Sequence, residues 1–304
     1  MTWAIVGKND ASAVISRIQT AVYPWQAPSG RLSPLKTAAF ALLFVPAVLV
    51  GSDWIAGNLG GRALHEALKD IGVWTIRVLF LSLAITPIRQ VLHWPGLVLV
   101  RRMVGVAAFA YVAAHLTMYV ADEMFDLAKV ASEIVLRIYL LIGFTALAGL
   151  AALAATSTDA MVQRMGRNWQ RLHRIAYVVG VLALLHYFMQ SKLDIREPTV
   201  MAGLLVWLSV YRTLAWSYGT RGGLPVAWAL ISTVAATALT AGGEAVYFWL
   251  SIGADPGDIV EINLSFDLGV RPAQLVLAIC AAVTGAGAVR AATSVSSRRV
   301  FARA

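Results

Sequence analysis

Apolar residues occur along this chain in eight stretches that are each long enough, or nearly so, to cross a membrane. A helix rises about 1.5 Å per residue, so a hydrocarbon core of about 30 Å needs roughly 20 apolar residues. The polar segments between the stretches are short, and we expect no separate soluble domain. The pattern predicts an all-α, polytopic membrane helix bundle of about eight transmembrane helices, at residues 37–52, 72–91, 103–121, 138–155, 173–190, 199–216, 225–252 and 272–292.

Composition supports a membrane protein and limits its chemistry. The chain is 59% hydrophobic and 13% charged, whereas a soluble domain has about 25% charged residues. No apolar segment followed by a small-residue cleavage site occurs near the N-terminus, so we expect no signal peptide to be removed. The single cysteine, Cys280, excludes an intramolecular disulfide and a cysteine-ligated iron–sulfur cluster.

The net charge of +9 indicates membrane orientation rather than nucleic-acid binding. If the N-terminus is cytoplasmic and eight helices alternate, the inner segments hold 17 of the 25 Lys and Arg residues. Their only acids are Asp10 and Asp159. The asymmetry follows the positive-inside rule at every loop. It predicts a multi-pass membrane protein with both termini in the cytoplasm.

Three of the five histidines lie in apolar runs, where an ionisable side chain is costly and usually faces a site within the bundle. His115 lies in predicted helix 3, and His173 and His186 lie in predicted helix 5. Helices 3 and 5 run parallel, and His115 follows Arg101 by 14 residues while His186 follows His173 by 13. His115 and His186 therefore fall at one depth near the outer side. They are predicted to hold a heme iron between helices 3 and 5.

A second, inner site is predicted around His173, which lies about 20 Å nearer the cytoplasm than His186. Arg101 and Arg102 occupy its depth on helix 3, and an arginine does not readily ligate iron. The inner site is therefore either a heme with one protein ligand, His173, or a quinone site without heme. Arg174 adds a further donor for a quinol headgroup or heme propionates. The alternative is that these arginines only set topology and bind lipid headgroups.

Four other features carry weaker predictions. Arg77 in helix 2 either extends to water or pairs with a heme propionate. Glu244 in helix 7 is a functional candidate or simply reaches water near the outer end. His65 in the first outer loop is expected to be solvated. The segment DEMFDLAKVASEIVLR after helix 3 predicts an interfacial helix and a docking surface for an outer partner.

The segments RRMVGVAAFAYVAAHLTMYVADE and ATSTDAMVQRMGRNWQRLHRIAYVVGVLALLHYFMQSK closely resemble the MsrQ family, and the likeness covers about residues 55–216. That family is the heme-binding membrane subunit of the bacterial MsrPQ system, within the ferric-reductase-like transmembrane superfamily. The resemblance implies heme b at His115 and His186, with His173 as a further heme-associated residue. One heme, or two, is implied. FMN is also described for the family, but no flavin motif is found here.

The resemblance also implies the partners. Electrons would come from the quinone pool or a cytosolic flavin reductase and pass to a periplasmic MsrP-like molybdenum enzyme that reduces protein methionine sulfoxide. The chain departs from the family pattern at two places. RIYLLIG stands where the family tends to have an RPY-type start to helix 4, and residues 217–304 exceed the usual six-helix form.

The chain is thus divided into three predicted parts. Residues 1–36 form a cytoplasmic N-terminal segment with either a short amphipathic helix or a disordered tail, 37–216 form the ferric-reductase-like heme-binding domain, and 217–304 add two helices and a cytoplasmic tail. The favoured function is an electron-transfer subunit without its own substrate site. The alternatives are a self-contained ferric or quinone reductase and a non-redox membrane transporter.

Overall fold

The structure is a computed structural model that describes residues 23–27, 30–192, 194–220, 224–266 and 269–301, with side chains as far as Thr293. The predicted amphipathic helix of the N-terminal segment lies outside the described residues. The helices within the described ranges are α1 Pro34–Leu42, α2 Val45–Ile55, α3 Ala63–Val91, α4 Val98–Asp122, α5 Leu127–Leu136, α6 Ile138–Ala155, α7 Asp159–Met165, α8 Arg167–His173, α9 Ala176–Ser191, α10 Arg196–Tyr218, α11 Leu224–Ile252, α12 Pro256–Leu264 and α13 Pro272–Phe301.

Among the residues that the structure describes, eight helical segments are long and apolar enough to cross a membrane, which confirms the predicted bundle. α1 and α2 form the first, and α8 and α9 form the fifth. α3, α4, α6, α10, α11 and α13 supply the others. Following the predicted topology, we call the end of the bundle at which α4, α9 and α11 finish the outer end, and the opposite end the inner end.

Two of the spanning segments are interrupted. The first breaks at Leu43 and Phe44, and Pro46 lies in the first turn of the helix that follows, where its missing N–H costs no helical hydrogen bond. The fifth breaks at Arg174 and Ile175, between α8 and α9. His173 and His186 therefore do not lie on one ideal helix, and the angle between them is set by this break.

The core is centred on α3. The histidine prediction was built instead around the fifth predicted span, which α8 and α9 form. α3 packs against α2, α4, α9, α10, α11 and α13. In its most apolar stretch of 18 residues, half of the residues are buried inside the protein. This share is larger than in any other spanning segment of the described chain. Leu79, Phe80 and Leu83 are among its buried side chains. α3 thus provides the common wall for both halves of the bundle.

The last two spanning helices share this core. α11 and α13 pack on α10, where a Cβ added at Gly203 would come within 2.6 Å of Val276. α13 also meets the end of α3, where a Cβ at Gly287 would lie 2.7 Å from the carbonyl oxygen of Val91. Such close approaches are typical of small residues at membrane helix interfaces. α11 and α13 are therefore integral to the bundle.

Candidate functional site

His115 on α4 is held by the neighbouring helix α3. Its Nδ1 lies 3.0 Å from the carbonyl oxygen of Leu68. The ring rests on Gly72, where an added Cβ would be 2.9 Å from the imidazole Cε1 and 3.0 Å from Nδ1. Real Cβ atoms do not come this close, so the ring occupies a position that only a glycine allows.

His186 on α9 is held in the same way by α6. Its Nδ1 lies 2.8 Å from the carbonyl oxygen of Tyr139. A Cβ added at Gly143 would be 2.7 Å from that nitrogen. In both cases the glycine follows the accepting carbonyl by four residues, one helical turn. One helix thus supplies an acceptor and, directly beside it, the space for the ring.

These hydrogen bonds determine which ring nitrogen carries the proton. A carbonyl oxygen can only accept, so Nδ1 of His115 and of His186 must be the donor. In the neutral imidazole, Nε2 then keeps its lone pair. This is the tautomer that binds a metal through Nε2, and a hydrogen bond from the other nitrogen is the usual way in which proteins orient such a ligand.

The structure places the two imidazoles side by side within the outer half of the bundle. Their ring centroids are 6.5 Å apart and their planes are 82° apart. Metal–imidazole bonds are about 2 Å long, so two rings on opposite sides of one metal have centres roughly 6 Å apart. The spacing therefore suits two axial ligands of one heme iron. Each ring binds through its own lone pair, so the planes need not be parallel.

His173 lies apart from this pair, at the inner end and at the last residue of α8. Its ring stacks on Trp169 with centroids 3.8 Å apart. Its Nδ1 lies 3.1 Å from the carbonyl oxygen of Trp169, and its Nε2 lies 3.4 Å from Ser157 Oγ. Both nitrogens of His173 therefore have polar neighbours, which differs from the arrangement at His115 and His186.

Arg77 and Arg102 form ion pairs that the sequence did not indicate. Arg77 contacts Glu197 of α10, with Nη2 2.6 Å from Oε1, and lies over the ring of Trp74 at 4.6 Å. It thus has a protein partner in addition to any contact with water. Arg102 contacts Asp159 of α7 at 2.6 Å, and this hydrogen-bonded guanidinium holds the pKa of the Asp159 carboxyl below its usual value.

Arg101 differs from its neighbour Arg102. It is half-buried and lies within electrostatic range of His173, Arg89 and Arg212. No acidic side chain forms an ion pair with it in the part of the chain that the structure describes. Arg174 is exposed. The inner end thus combines a half-buried positive charge with the stacked His173.

Glu244 and His65 both differ from their predicted surroundings. Glu244 does not reach water: it is 2% exposed, forms an ion pair with Arg271, and accepts a 3.0 Å hydrogen bond from Asn263. His65 is not simply solvated, since its Nδ1 lies 3.0 Å from Asp122 Oδ2 at the end of α4. In each case a partner distant in sequence binds the side chain, but only Glu244 is shielded from water.

The predicted interfacial segment forms α5, in which only Val130 is buried. Its acidic residues are largely paired within the segment. Glu133 contacts Arg137 at 2.8 Å and accepts from Tyr119, and Glu123 contacts Lys129. These ion pairs leave the net charge of the segment as the sequence gives it, and the docking surface for an outer partner stays a prediction.

Comparison with known proteins identifies the family to which this chain is similar. The family model described as "Ferric reductase like transmembrane component" matches residues 71–184, from α3 into α9. A protein-methionine-sulfoxide reductase heme-binding subunit MsrQ of Rhodospirillum rubrum is 38% identical over 179 residues, which cover 58% of this chain and 86% of that relative. The chain belongs to the MsrQ family. MsrQ of Xanthomonas campestris pv. campestris (strain 8004) is 40% identical over 184 residues, 58% of this chain and 84% of the relative.

A third MsrQ relative, from Caulobacter vibrioides, is 39% identical over 171 residues, 56% of this chain and 81% of its own length. No solved structure matches the chain. The MsrQ likeness confirms the family that the histidine segments indicated. Gly72 and Gly143 were not singled out in the sequence, although each lies one turn after the carbonyl that a histidine uses.

Proposed function

We propose that this MsrQ-family chain is a b-type heme electron-transfer subunit. The observation that carries the proposal is the pair His115 and His186, whose Nδ1 atoms both donate to backbone carbonyls and whose rings lie 6.5 Å apart. The printed names of the MsrQ relatives describe heme-binding subunits. One cysteine cannot form the two thioether bonds of a C-x-x-C-H attachment, which favours non-covalent heme b.

In this proposal His115 and His186 supply Nε2 from opposite sides, and the Leu68 and Tyr139 carbonyls fix their orientation. A bound heme supplies reversible one-electron transfer. With both histidines bound to it, the iron would have no position left for a substrate. This favours an electron carrier over a self-contained ferric or quinone reductase.

We place the donor at the inner end and the acceptor at the outer end. The basic residues favour a cytoplasmic inner end. Electrons would enter there from the quinone pool or a cytosolic flavin reductase. The heme site lies in the outer half, near a periplasmic MsrP-like molybdoenzyme that reduces protein methionine sulfoxide. The names of the relatives support a partner that acts on protein methionine sulfoxide.

We assign the donor site to Arg101 and His173. Arg101 is half-buried and has no acidic partner within the described residues. Its guanidinium can therefore donate a hydrogen bond to a quinol oxygen or another electron-rich group of the donor. The flat surface of Trp169 and His173 lies at the same end. Arg102 belongs to the same positive region but is bound to Asp159, and Arg174 adds exposed positive charge.

Optical spectroscopy of the purified protein tests the proposal. We expect the reduced spectrum of a low-spin b-type heme, and we expect His115→Ala and His186→Ala each to remove most of it. His93→Ala is a matched control, since His93 lies in the inner loop between α3 and α4. Full heme content and an unchanged spectrum in both ligand variants would show that the assignment is wrong.

A further inference from the structure

A cavity with charged residues in its lining opens at the outer end, away from the histidine pair. It has a volume of about 400 Å³ and lies among the α9–α10 connection, the outer part of α11 and the residue that precedes α13. The residues that line it are Asp194, Ile195, Arg196, Glu244, Phe248 and Arg271. The proposed heme function uses none of them.

The inner wall of this cavity is a buried ion pair with unused hydrogen-bonding capacity. Glu244 is 2% exposed, and the side chain of Arg271 is 16% exposed. Glu244 receives hydrogen bonds from Arg271 and Asn263. Arg271 Nε is buried and finds no hydrogen-bond partner among the described residues. Because Nε is out of reach of solvent, the ion pair forms the closed, charged floor of the cavity, and the exposed residues at its rim are the ones that a ligand can contact.

The outer wall carries both signs of charge at the surface. Asp194 and Arg196 are exposed. Arg196 begins α10 and donates a 2.7 Å hydrogen bond to the carbonyl of Val270. Because helix ends in a membrane bundle lie near the boundary between headgroups and hydrocarbon, the cavity is expected at headgroup depth. Ile195 and Phe248 add an apolar side to it.

We propose that this cavity binds the headgroup of a zwitterionic phospholipid with a primary ammonium, that is, a phosphatidylethanolamine. The phosphate would accept from Arg196 and the ammonium would lie against Asp194, above the buried Glu244–Arg271 pair. Phe248 would contact the first part of an acyl chain.

The paired charges distinguish this ligand from simpler ones. An anion alone would lie beside the carboxylates of Asp194 and Glu244 without compensation. A cation alone would lie beside the guanidinium of Arg196 without compensation. A zwitterion with phosphate and ammonium a few bonds apart matches both. Its binding would join the α9–α10 connection to α11 and α13, and the inference does not depend on heme.

Lipid titration of the full-length, detergent-purified protein, followed by native mass spectrometry, tests the proposal. The probes are phosphatidylethanolamine, phosphatidylglycerol, which lacks the ammonium, and phosphatidylcholine, whose quaternary ammonium cannot donate hydrogen bonds. We expect phosphatidylethanolamine to bind about tenfold more tightly than the other two, the effect of one charge-assisted hydrogen bond.

Two variants change exposed residues only. They leave the Glu244–Arg271 pair intact and so preserve the fold. Arg196→Gln and Asp194→Asn should each weaken phosphatidylethanolamine binding about tenfold. Arg62→Gln is the control, since Arg62 is 72% exposed at the same end and lies outside the cavity. Equal binding of the three lipids, or unchanged binding in both variants, would overturn the proposal. Displacement of the lipid by an equal concentration of soluble glycerophosphoethanolamine would also overturn it, because the site would then take a soluble zwitterion.

Discussion

Gly143 lies directly beneath the imidazole of His186, so closely that an added Cβ would be 2.7 Å from Nδ1. The carbonyl that this nitrogen contacts belongs to Tyr139, one helical turn earlier. Gly72 and Leu68 repeat the arrangement under His115 on a different helix. The repetition indicates that these glycines position the two rings, and it leads to the first prediction.

Gly143→Ala and Gly72→Ala should each displace a histidine ring while leaving both histidines in place. Overpacking typically costs about 1–3 kcal/mol, so we expect heme affinity to fall about tenfold or more. Heme content per protein and the position of the reduced absorption bands are the measurements. Gly242→Ala is the control, because a Cβ there meets nothing within 4 Å. Unchanged heme binding in both variants would show that the two glycines do not contribute to the heme site.

Orientation is the second prediction. The basic asymmetry and the eight spans of the described residues predict that both termini lie in the cytoplasm. A reporter fused after Ala304 should be active only if it is a cytoplasmic reporter. A fusion in the connection between α11 and α12, at residues 253–255, should show the opposite behaviour. Periplasmic activity at the C-terminus would indicate an odd number of spans.

The buried pair Glu244 and Arg271 gives a third prediction. Glu244→Ala leaves a positive charge buried without its partner, which typically costs about 3–5 kcal/mol. The double variant Glu244→Leu with Arg271→Met should be more stable than Glu244→Ala, because it removes both charges. Chemical unfolding in detergent measures the difference. Glu66→Gln, in the exposed pair with Lys69, should change stability by about 1 kcal/mol or less.

The spans and the depth of the histidines were predictable because both depend on local sequence. Span length follows from runs of apolar residues, and depth follows from counting residues along helices. The third and fifth spans, α4 and α8–α9, must run parallel if the spans alternate. This brings His115 and His186 to one level. The glycines beneath them were not predictable, because their role appears only when α3 and α6 are placed against the rings.

The ion-pair partners were not predictable for a different reason. Arg77 meets Glu197 across 120 residues of sequence, and His65 meets Asp122 across 57. Glu244 meets Arg271 across 27. A single sequence gives the cost of an ionisable group in a membrane but not the position of its partner. Of the two alternatives for Glu244, contact with water was wrong, whereas His65 combines partial exposure with an acidic partner.

The last prediction concerns the inner donor site. Arg101 is half-buried without an acidic partner among the described residues, and His173 stacks on Trp169 at the same end. If these groups receive the donor, Arg101→Gln and His173→Ala should each slow heme reduction by quinol about tenfold or more, the effect of one charged hydrogen bond. The His115–His186 spectrum should remain, since that pair lies in the outer half. Stopped-flow absorbance in membranes of known orientation measures the rate.

Arg171→Gln provides the matched control, since Arg171 is an exposed residue of α8 and its loss changes the charge of the inner end equally. A general electrostatic effect would slow both arginine variants alike and would diminish with added salt. A specific site would slow only the Arg101 variant and would retain the difference at high salt, because half-buried groups are screened less. If Arg101→Gln is reduced at the wild-type rate, the arginine serves topology and lipid contact, and the donor site lies elsewhere.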